Sequence, residues 1–162
     1  MRRNFNEWLS GFRDSIADYG YYIDFDKVYR NVESIRIELN ILNSLIGAED
    51  IEPKFEALIQ RYPEVLKCIP ILLAVRANEI YCQDENGGVL YRFDLGNCQP
   101  NSREYFEKCA YFMRKTGLFE LMSKHLVNNL VDYVTGVETG LDSNGRKNRG
   151  GHLMEDLVER FI

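Results

Sequence analysis

The chain of 162 residues lacks most of the features that assign a protein to a function class by inspection. The sequence shows no apolar run near the 18 residues of a membrane-spanning helix and no signal-peptide pattern, so we expect a cytoplasmic protein with no membrane partner. The four cysteines, Cys68, Cys82, Cys98 and Cys109, are too widely spaced for a CxxC metal or redox motif, and free thiols are expected. Neither GxxxxGK[ST] nor GxGxxG occurs, which excludes the two common phosphate-binding loop signatures.

The sequence also lacks an excess of positive charge. Its net charge of −5 argues against a protein that coats nucleic acid without specificity. A local basic segment could still contact phosphates, because the distribution of charge matters more than its sum.

What is present indicates a mainly α-helical fold with an aromatic core. The chain is 45% hydrophobic and has 10 Tyr and 9 Phe. Apolar residues recur at helical spacing in several segments. Helices are predicted over residues 5–16, about Phe25 to Ile46 with a stop at Gly47, Pro53 to Tyr62, Ser102 to Met113 with a stop at Gly117, and about Leu118 to Val134.

One region changes from helical to alternating spacing. The run EIYCQDENGGVLYRFDL contains two short strand-like pieces around Asn86–Gly87. Asn-Gly between alternating residues is a strong hairpin signal. We predict a single small β-hairpin near Ile80 to Phe93, and an α+β fold overall.

A glycine-rich, basic stretch follows the last predicted helix. Five glycines between Gly136 and Gly151 predict an interrupted, loop-like segment, after which helical spacing restarts at Leu153. The predicted organisation is a helical unit over residues 1–135 and a second unit, 136–162, in which a loop leads into a helix. Because the apolar pattern is still running at Ile162, we interpret the chain as truncated at that residue.

The stretch NGRKNRGG concentrates charge and polar side chains. Arginine and lysine neutralise phosphates, and asparagine can pair with adenine edges. The candidate DNA-binding residues are Asn144, Arg146, Lys147, Asn148 and Arg149. A solvated basic turn explains the same composition equally well.

The same region carries a family resemblance. Gly136 to Glu155 resembles the pattern GVExGLDxNxRKNRxGxxME of DpnII/MboI-type restriction endonucleases, and RNFNEWLS, NVESIRIELNILNSLIG, RYPEVLKCIPILLA and HLVNNLVDYVTG resemble the opening half of that family. The likeness covers nearly the whole chain and is weakest from Asn78 to Gln99. Thr139 departs from the pattern where an aliphatic residue is common.

The resemblance implies a type II enzyme that cleaves double-stranded DNA at GATC, with this chain as its N-terminal, DNA-binding portion. It further implies a PD-(D/E)xK-like core whose main catalytic carboxylates lie beyond Ile162, Mg²⁺ as cofactor of the intact enzyme, and a homodimer on the palindromic site. Glu155 would be an additional catalytic carboxylate and metal ligand. Its alternative interpretation is an exposed first-turn acid favoured by the helix dipole.

Other interpretations remain open from the residues alone. The chain could be a non-enzymatic DNA-binding module, or a helical protein-interaction module whose basic segment is incidental. Asp142 with Glu138 could form a metal pair, although a bracing role for Asp142 fits its position better. His125, on a predicted apolar helix, is expected to pack rather than to act as a base.

Overall fold

The computed structural model describes residues 6–7, 19–94 and 102–161, with side chains described up to residue 148. Between residues 19 and 161 these residues form seven α-helices and one two-stranded sheet. The elements are α1 (Phe25–Glu33), α2 (Arg36–Leu42), α3 (Ile51–Arg61), α4 (Ile69–Leu72), β1 (Glu79–Asp84), β2 (Gly87–Arg92), α5 (Arg103–Lys115), α6 (Leu118–Ser123) and α7 (Leu130–Phe161), with 3-10 turns at Tyr19–Tyr21, Asn43–Leu45 and Pro63–Cys68. The predicted mainly helical fold with one hairpin is confirmed.

The hairpin forms where the alternating pattern predicts it. Strands β1 and β2 pair antiparallel from Glu79↔Arg92 to Asp84↔Gly87, which leaves a two-residue turn. Gly87 has φ +108°, a conformation that glycine adopts without steric cost. The sheet packs on α5 through aromatic rings, with the Tyr91 and Phe112 centroids 4.7 Å apart.

The helix predicted from Phe25 to Ile46 is wrong in its continuity, because it is divided into α1 and α2. The Ser34 hydroxyl donates to the Asn31 carbonyl at 2.7 Å, and Ile35 leaves helical geometry at φ −128°. A serine that bonds back to the preceding turn competes with the helical ladder. Val32 and Leu39, on either side of the break, are both buried in the core.

The helix predicted from Leu118 to Val134 is also divided. Helix α6 ends at Ser123, His125 has a positive φ of 56°, and α7 begins anew at Leu130. The new start is capped by Asn129, whose side-chain oxygen accepts from the Val131 amide at 2.7 Å. An asparagine cap is a recognisable start signal, and the breadth of the apolar pattern concealed it. His125 is exposed in this turn, not packed on an apolar helix.

The largest correction concerns the glycine-rich stretch. Gly136 to Gly151 is not a loop, because α7 continues through it to Phe161. Each interior glycine costs a helix about 1 kcal/mol relative to alanine. Helix α7 offsets that cost by burying one side: Leu130 and Val134 are fully buried, and Tyr133 donates to the Leu72 carbonyl at 2.7 Å. Tertiary packing outweighs local propensity here.

The core is built from residues of every helix and of the hairpin. Its largest fully buried side chains include Phe55, Phe93, Phe112 and Met113. Cys68 and Cys109 are buried in it, and burial raises the pKa of the Cys68 thiol to about 12, so that thiol is inert. No helix among the described residues is long and apolar enough to cross a membrane. The predicted first helix, at residues 5–16, lies outside the described residues except for positions 6 and 7.

Candidate functional site on the long helix

The predicted DNA-binding residues lie on α7. Asn144, Arg146, Lys147, Asn148 and Arg149 are all helical, as is Glu155, which is well inside the helix and not in its first turn. The side chains of Arg149 and Glu155 lie outside the description. Residues three and four apart share a face of a helix, so α7 separates this set by face.

Asp142 and Arg146 face inward and hold the start of α1. The Asp142 carboxylate is 2% exposed and accepts from the Asp24 amide at 2.9 Å and from Arg146 Nε at 2.8 Å. Arg146 in turn donates from Nη1 to the Gly20 carbonyl at 2.7 Å. Asp24 also caps α1 by accepting from the Lys27 amide at 3.1 Å. Asp142 is therefore a brace, but of the Gly20–Asp24 segment more than a hundred residues away and not of the local turn that was predicted, because the chain is helical at this position.

The electrostatics of Asp142 agree with this geometry. Burial alone would raise the pKa of its carboxyl. The Asp24 amide and the Arg146 guanidinium, helped by the charge of Lys27, more than offset that effect and hold the pKa below its ordinary value. Asp142 is therefore ionised and paired at neutral pH.

Glu138 repeats the arrangement one turn earlier. Its side chain is 7% exposed and its Oε2 accepts from Arg76 Nη2 at 2.7 Å and from Asn31 Nδ2 at 3.2 Å. Arg76 comes from the turn between α4 and β1, and Asn31 from α1. The sequence analysis did not identify Arg76 or Asn31 as site residues, because both meet α7 only in the tertiary structure. The one available signal was a polar residue, Asn31, on the side of α1 that packs against the protein.

The opposite side of α7 is open. Asn144, Lys147 and Asn148 are exposed, at spacings of three and four residues. No salt bridge joins Lys147 to another described side chain. Arg146, by contrast, is only 19% exposed and has three internal partners, Asp142, Asp24 and the Gly20 carbonyl. The structure thus leaves Lys147 more available to a ligand than Arg146.

The pair Glu138 and Asp142 does not fit a Mg²⁺ site. Mg²⁺ needs several oxygen ligands in near-octahedral geometry. Glu138 and Asp142 are each already paired with an arginine. No group of three His, Cys, Asp or Glu side chains able to hold a metal occurs among the described residues. We derive no metal chemistry from this pair.

Two clefts lie on the described part of the chain. A cleft of about 250 Å³ lies beside α7, between α1 and the turn that carries Arg76. A larger one, about 360 Å³, lies between the hairpin and α5, where Tyr111 donates to Asp84 at 2.8 Å. The first contains Glu138 and so belongs to the same region as the candidate site.

Comparisons with known proteins agree with the motif on α7. The family description "DpnII restriction endonuclease" matches residues 4–162. The type II restriction enzyme DpnII of Streptococcus pneumoniae is 48% identical over 160 residues, covering 99% of this chain and 54% of that protein. MjaIII of Methanocaldococcus jannaschii is 38% identical over 164 residues (98% and 54%), and MboI of Moraxella bovis 36% over 163 residues (98% and 55%).

The chain spans about half the length of these curated relatives. No solved structure matches it. The resemblance stated from the motif is confirmed by similarity that extends through nearly every residue, far beyond the motif itself. The chain belongs to the DpnII restriction endonuclease family.

Proposed function

We propose that this chain takes part in DNA restriction, as the N-terminal, DNA-binding portion of a type II endonuclease that cleaves double-stranded DNA at GATC. The observation that carries the proposal is the 48% identity to a type II restriction enzyme over 99% of the chain. Identity at that level over nearly the whole chain supports a shared fold and a related role.

The proposed DNA contacts are Asn144, Arg146, Lys147, Asn148 and Arg149. Support is strongest for Asn144, Lys147 and Asn148, which share the exposed face of α7. A helix presents such residues as a rigid row, which can follow a groove edge or a phosphate backbone. Arg146 would contribute mainly by fixing α7 against the Gly20–Asp24 segment.

For catalysis we propose a PD-(D/E)xK-like core whose main carboxylates lie outside this chain, with Mg²⁺ as cofactor and Glu155 as an additional ligand. Support comes from the family resemblance and from the relatives, which are about twice as long. Glu138 and Asp142 play a structural part in this scheme, since each is paired with an arginine. The chain alone would then bind DNA without cutting it.

We further propose a homodimer on DNA. GATC is palindromic, so two copies related by a two-fold axis would present equivalent surfaces to the two half-sites. The exposed row on α7 supplies one such surface per copy.

The test is a pair of measurements on the purified chain. Binding to a short duplex with one GATC is compared with a duplex of scrambled site over a range of salt, and unmethylated plasmid is incubated with the chain and Mg²⁺. We expect salt-dependent binding and no cleavage. Replacing Arg146, Lys147 and Arg149 together by alanine should lower the salt slope by roughly 0.9 for each phosphate that the variant no longer neutralises.

Three outcomes would contradict the proposal in different ways. Absence of DNA binding would favour a helical protein-interaction module. Specific cutting by this chain, abolished by Glu155→Gln, would mean that the active site lies within it. An unchanged slope in the triple variant would reduce the basic segment to a solvated part of the helix.

A further inference from the structure

The cleft beside α7 has the composition of an anion-binding surface. We call it the Arg76 cleft, defined by its polar lining residues. It has a volume of about 250 Å³, and those residues are Asn31, Ser34, Lys67, Arg76, Asn78 and Glu138. Five of the six carry hydrogen-bond donors.

The two cations that line the cleft, Arg76 and Lys67, are each held in an ion pair and yet remain partly exposed. The Arg76 side chain is 45% exposed although it is paired with Glu138, and Lys67 is 41% exposed although its Nζ is 2.8 Å from Glu38. The carboxylate partners are less exposed, at 7% and 15%. In both pairs the cation is therefore the more solvent-accessible member.

Helix α1 extends the positive charge beyond the cleft. Lys27 is four residues before Asn31, and Arg30 is four residues before Ser34, so both cations share the cleft side of α1 with a lining residue. Both are exposed. Together with Lys67 and Arg76, this places four cations in or beside the cleft, in a protein whose net charge is −5.

The backbone that carries Arg76 is unusual. Ala74, two residues earlier, has a positive φ of 60° although it is not glycine. Such a conformation costs of order 1 kcal/mol or more and persists only where surrounding contacts enforce it. Here the Ala74 and Val75 amides donate to the Ile71 and Pro70 carbonyls, both at 3.0 Å, which fixes the turn. This backbone turn places Arg76 beside Glu138.

We propose that the Arg76 cleft binds the phosphate backbone of duplex DNA, with Arg76 as the central contact and Lys67 and Arg30 beside it. A guanidinium has five N–H donors, and one nitrogen suffices for Glu138, so Arg76 can donate to a phosphate without leaving its partner. Asn31 and Ser34 add neutral donors of the type that position a protein on DNA. This inference rests on the proposed function and names a second DNA-contacting surface, which includes Glu138 and is separate from the exposed row on α7.

The experiment measures binding of a fluorescent duplex with one GATC by anisotropy, between about 50 and 200 mM salt. The proteins are the chain itself, Arg30→Gln, Lys67→Gln, Arg76→Gln, the charge-preserving Arg76→Lys, and Lys147→Gln from the exposed row on α7. Lys54→Gln is the matched control, because Lys54 is an equally exposed cation on α3, outside the cleft. A parallel titration adds inorganic phosphate as competitor, to distinguish a free-anion site from a DNA contact.

Each of the three cleft variants to glutamine should lower the slope of log Kd against log salt by roughly 0.9, while Arg76→Lys and Lys54→Gln leave it unchanged. Thermal unfolding of every variant is recorded alongside. If Arg76→Gln does not fold because Glu138 loses its partner, the slopes of the Lys67 and Arg30 variants, which are surface substitutions, decide the matter.

The outcomes separate this inference from the proposed function. Slopes equal to that of the unmodified chain in all cleft variants, with the slope still reduced by Lys147→Gln, would overturn the cleft and leave DNA binding through α7 in place. No binding by the unmodified chain would overturn the proposed function itself. Competition by phosphate without any change in duplex slope would identify a free-anion site, which also contradicts the proposal.

Discussion

The two faces of α7 differ in how the same residue types are used. On the inner face Glu138, Asp142 and Arg146 stand four residues apart, each paired with a group from a distant segment. On the outer face Asn144 and Lys147 are exposed. In the sequence, the residues of the two faces alternate within one polar stretch that contains the basic segment. Only the 100° rotation per residue of an α-helix separates the residues that hold the fold from those that can meet a ligand.

The difference has an energetic side. A charge pair shielded from water is costly to break on one side only, because the remaining charge stays desolvated. An exposed charge contributes little to stability. Substitutions on the two faces should therefore separate stability from binding.

The largest effect is expected at Asp142. Asp142→Ala should lower the free energy of unfolding by about 3 kcal/mol, since it leaves the Asp24 amide without its acceptor and removes the nearest carboxylate partner of Arg146. Lys147→Ala, on the outer face, should change it by less than about 0.5 kcal/mol. Urea unfolding at pH 7 gives both values. Equal values for the two variants would mean that the inner-face contacts do not stabilise the fold.

A smaller loss is expected one turn earlier. Glu138→Gln keeps the shape of the side chain and removes its charge, so the bonds to Arg76 and Asn31 weaken without a cavity. Charge-assisted hydrogen bonds contribute about 1.5–3 kcal/mol, and we expect a loss of about 2 kcal/mol. Asp132→Asn, an exposed acid in the first turn of the same helix, should cost less than about 1 kcal/mol. A larger effect at Asp132 in thermal unfolding would contradict the ranking.

The glycines test whether the stretch is a helix at all. A Cβ added at Gly136, Gly140 or Gly145 meets nothing within 4 Å, so each alanine substitution should stabilise the protein, by about 0.5–1 kcal/mol. Gly117→Ala, at φ +85°, should destabilise it by about 1 kcal/mol. Loss of stability at Gly140 would favour the loop that the glycine content predicts. The measurement is the unfolding midpoint of each variant in urea.

The smallest effect is a dependence on acid pH. The folded pKa of Asp142 lies below its unfolded value, so its contribution is fully present above the ordinary pKa of an aspartate, about 3.9, and is lost as pH falls through the lowered value. Stability should therefore fall less steeply below about pH 4 in Asp142→Ala than in the unmodified chain. Chemical unfolding at a series of pH values from about 5 downward measures this slope. Parallel curves would show that Asp142 is not the titrating group.

Sequence reasoning was most successful where one local signal sufficed. The hairpin, the Ser102 cap, whose side chain accepts from the Tyr105 amide, and the positive φ of Gly47 and Gly117 were all predictable from adjacent residues. It failed where two local signals competed. The glycines between residues 136 and 151 predict a loop, whereas burial of one side of α7 favours a helix. The broad apolar pattern of residues 118–134 concealed the Asn129 cap between α6 and α7.

The candidate site follows the same division. The basic residues were predictable as a set, because their types and their pattern lie within a few positions of one another. Their separation into faces was not, since it depends on whether the segment is helical. The partners of Glu138 and Asp142 were beyond reach, because Arg76, Asn31 and Asp24 are 62, 107 and 118 residues away.

The sequence by itself determined the helical class, the single hairpin, the position of the basic segment and the family. Each of these depends on residue types and short spacings, which remain the same whatever the chain packs against. The tertiary structure alone decided that the glycine-rich stretch is helical and that Arg146 is an internal brace. It also decided that Arg76 faces a cleft beside α7. Burying one side of α7 and pairing its charges stabilises the helix by more than its glycines destabilise it. That balance exists only when distant segments come together.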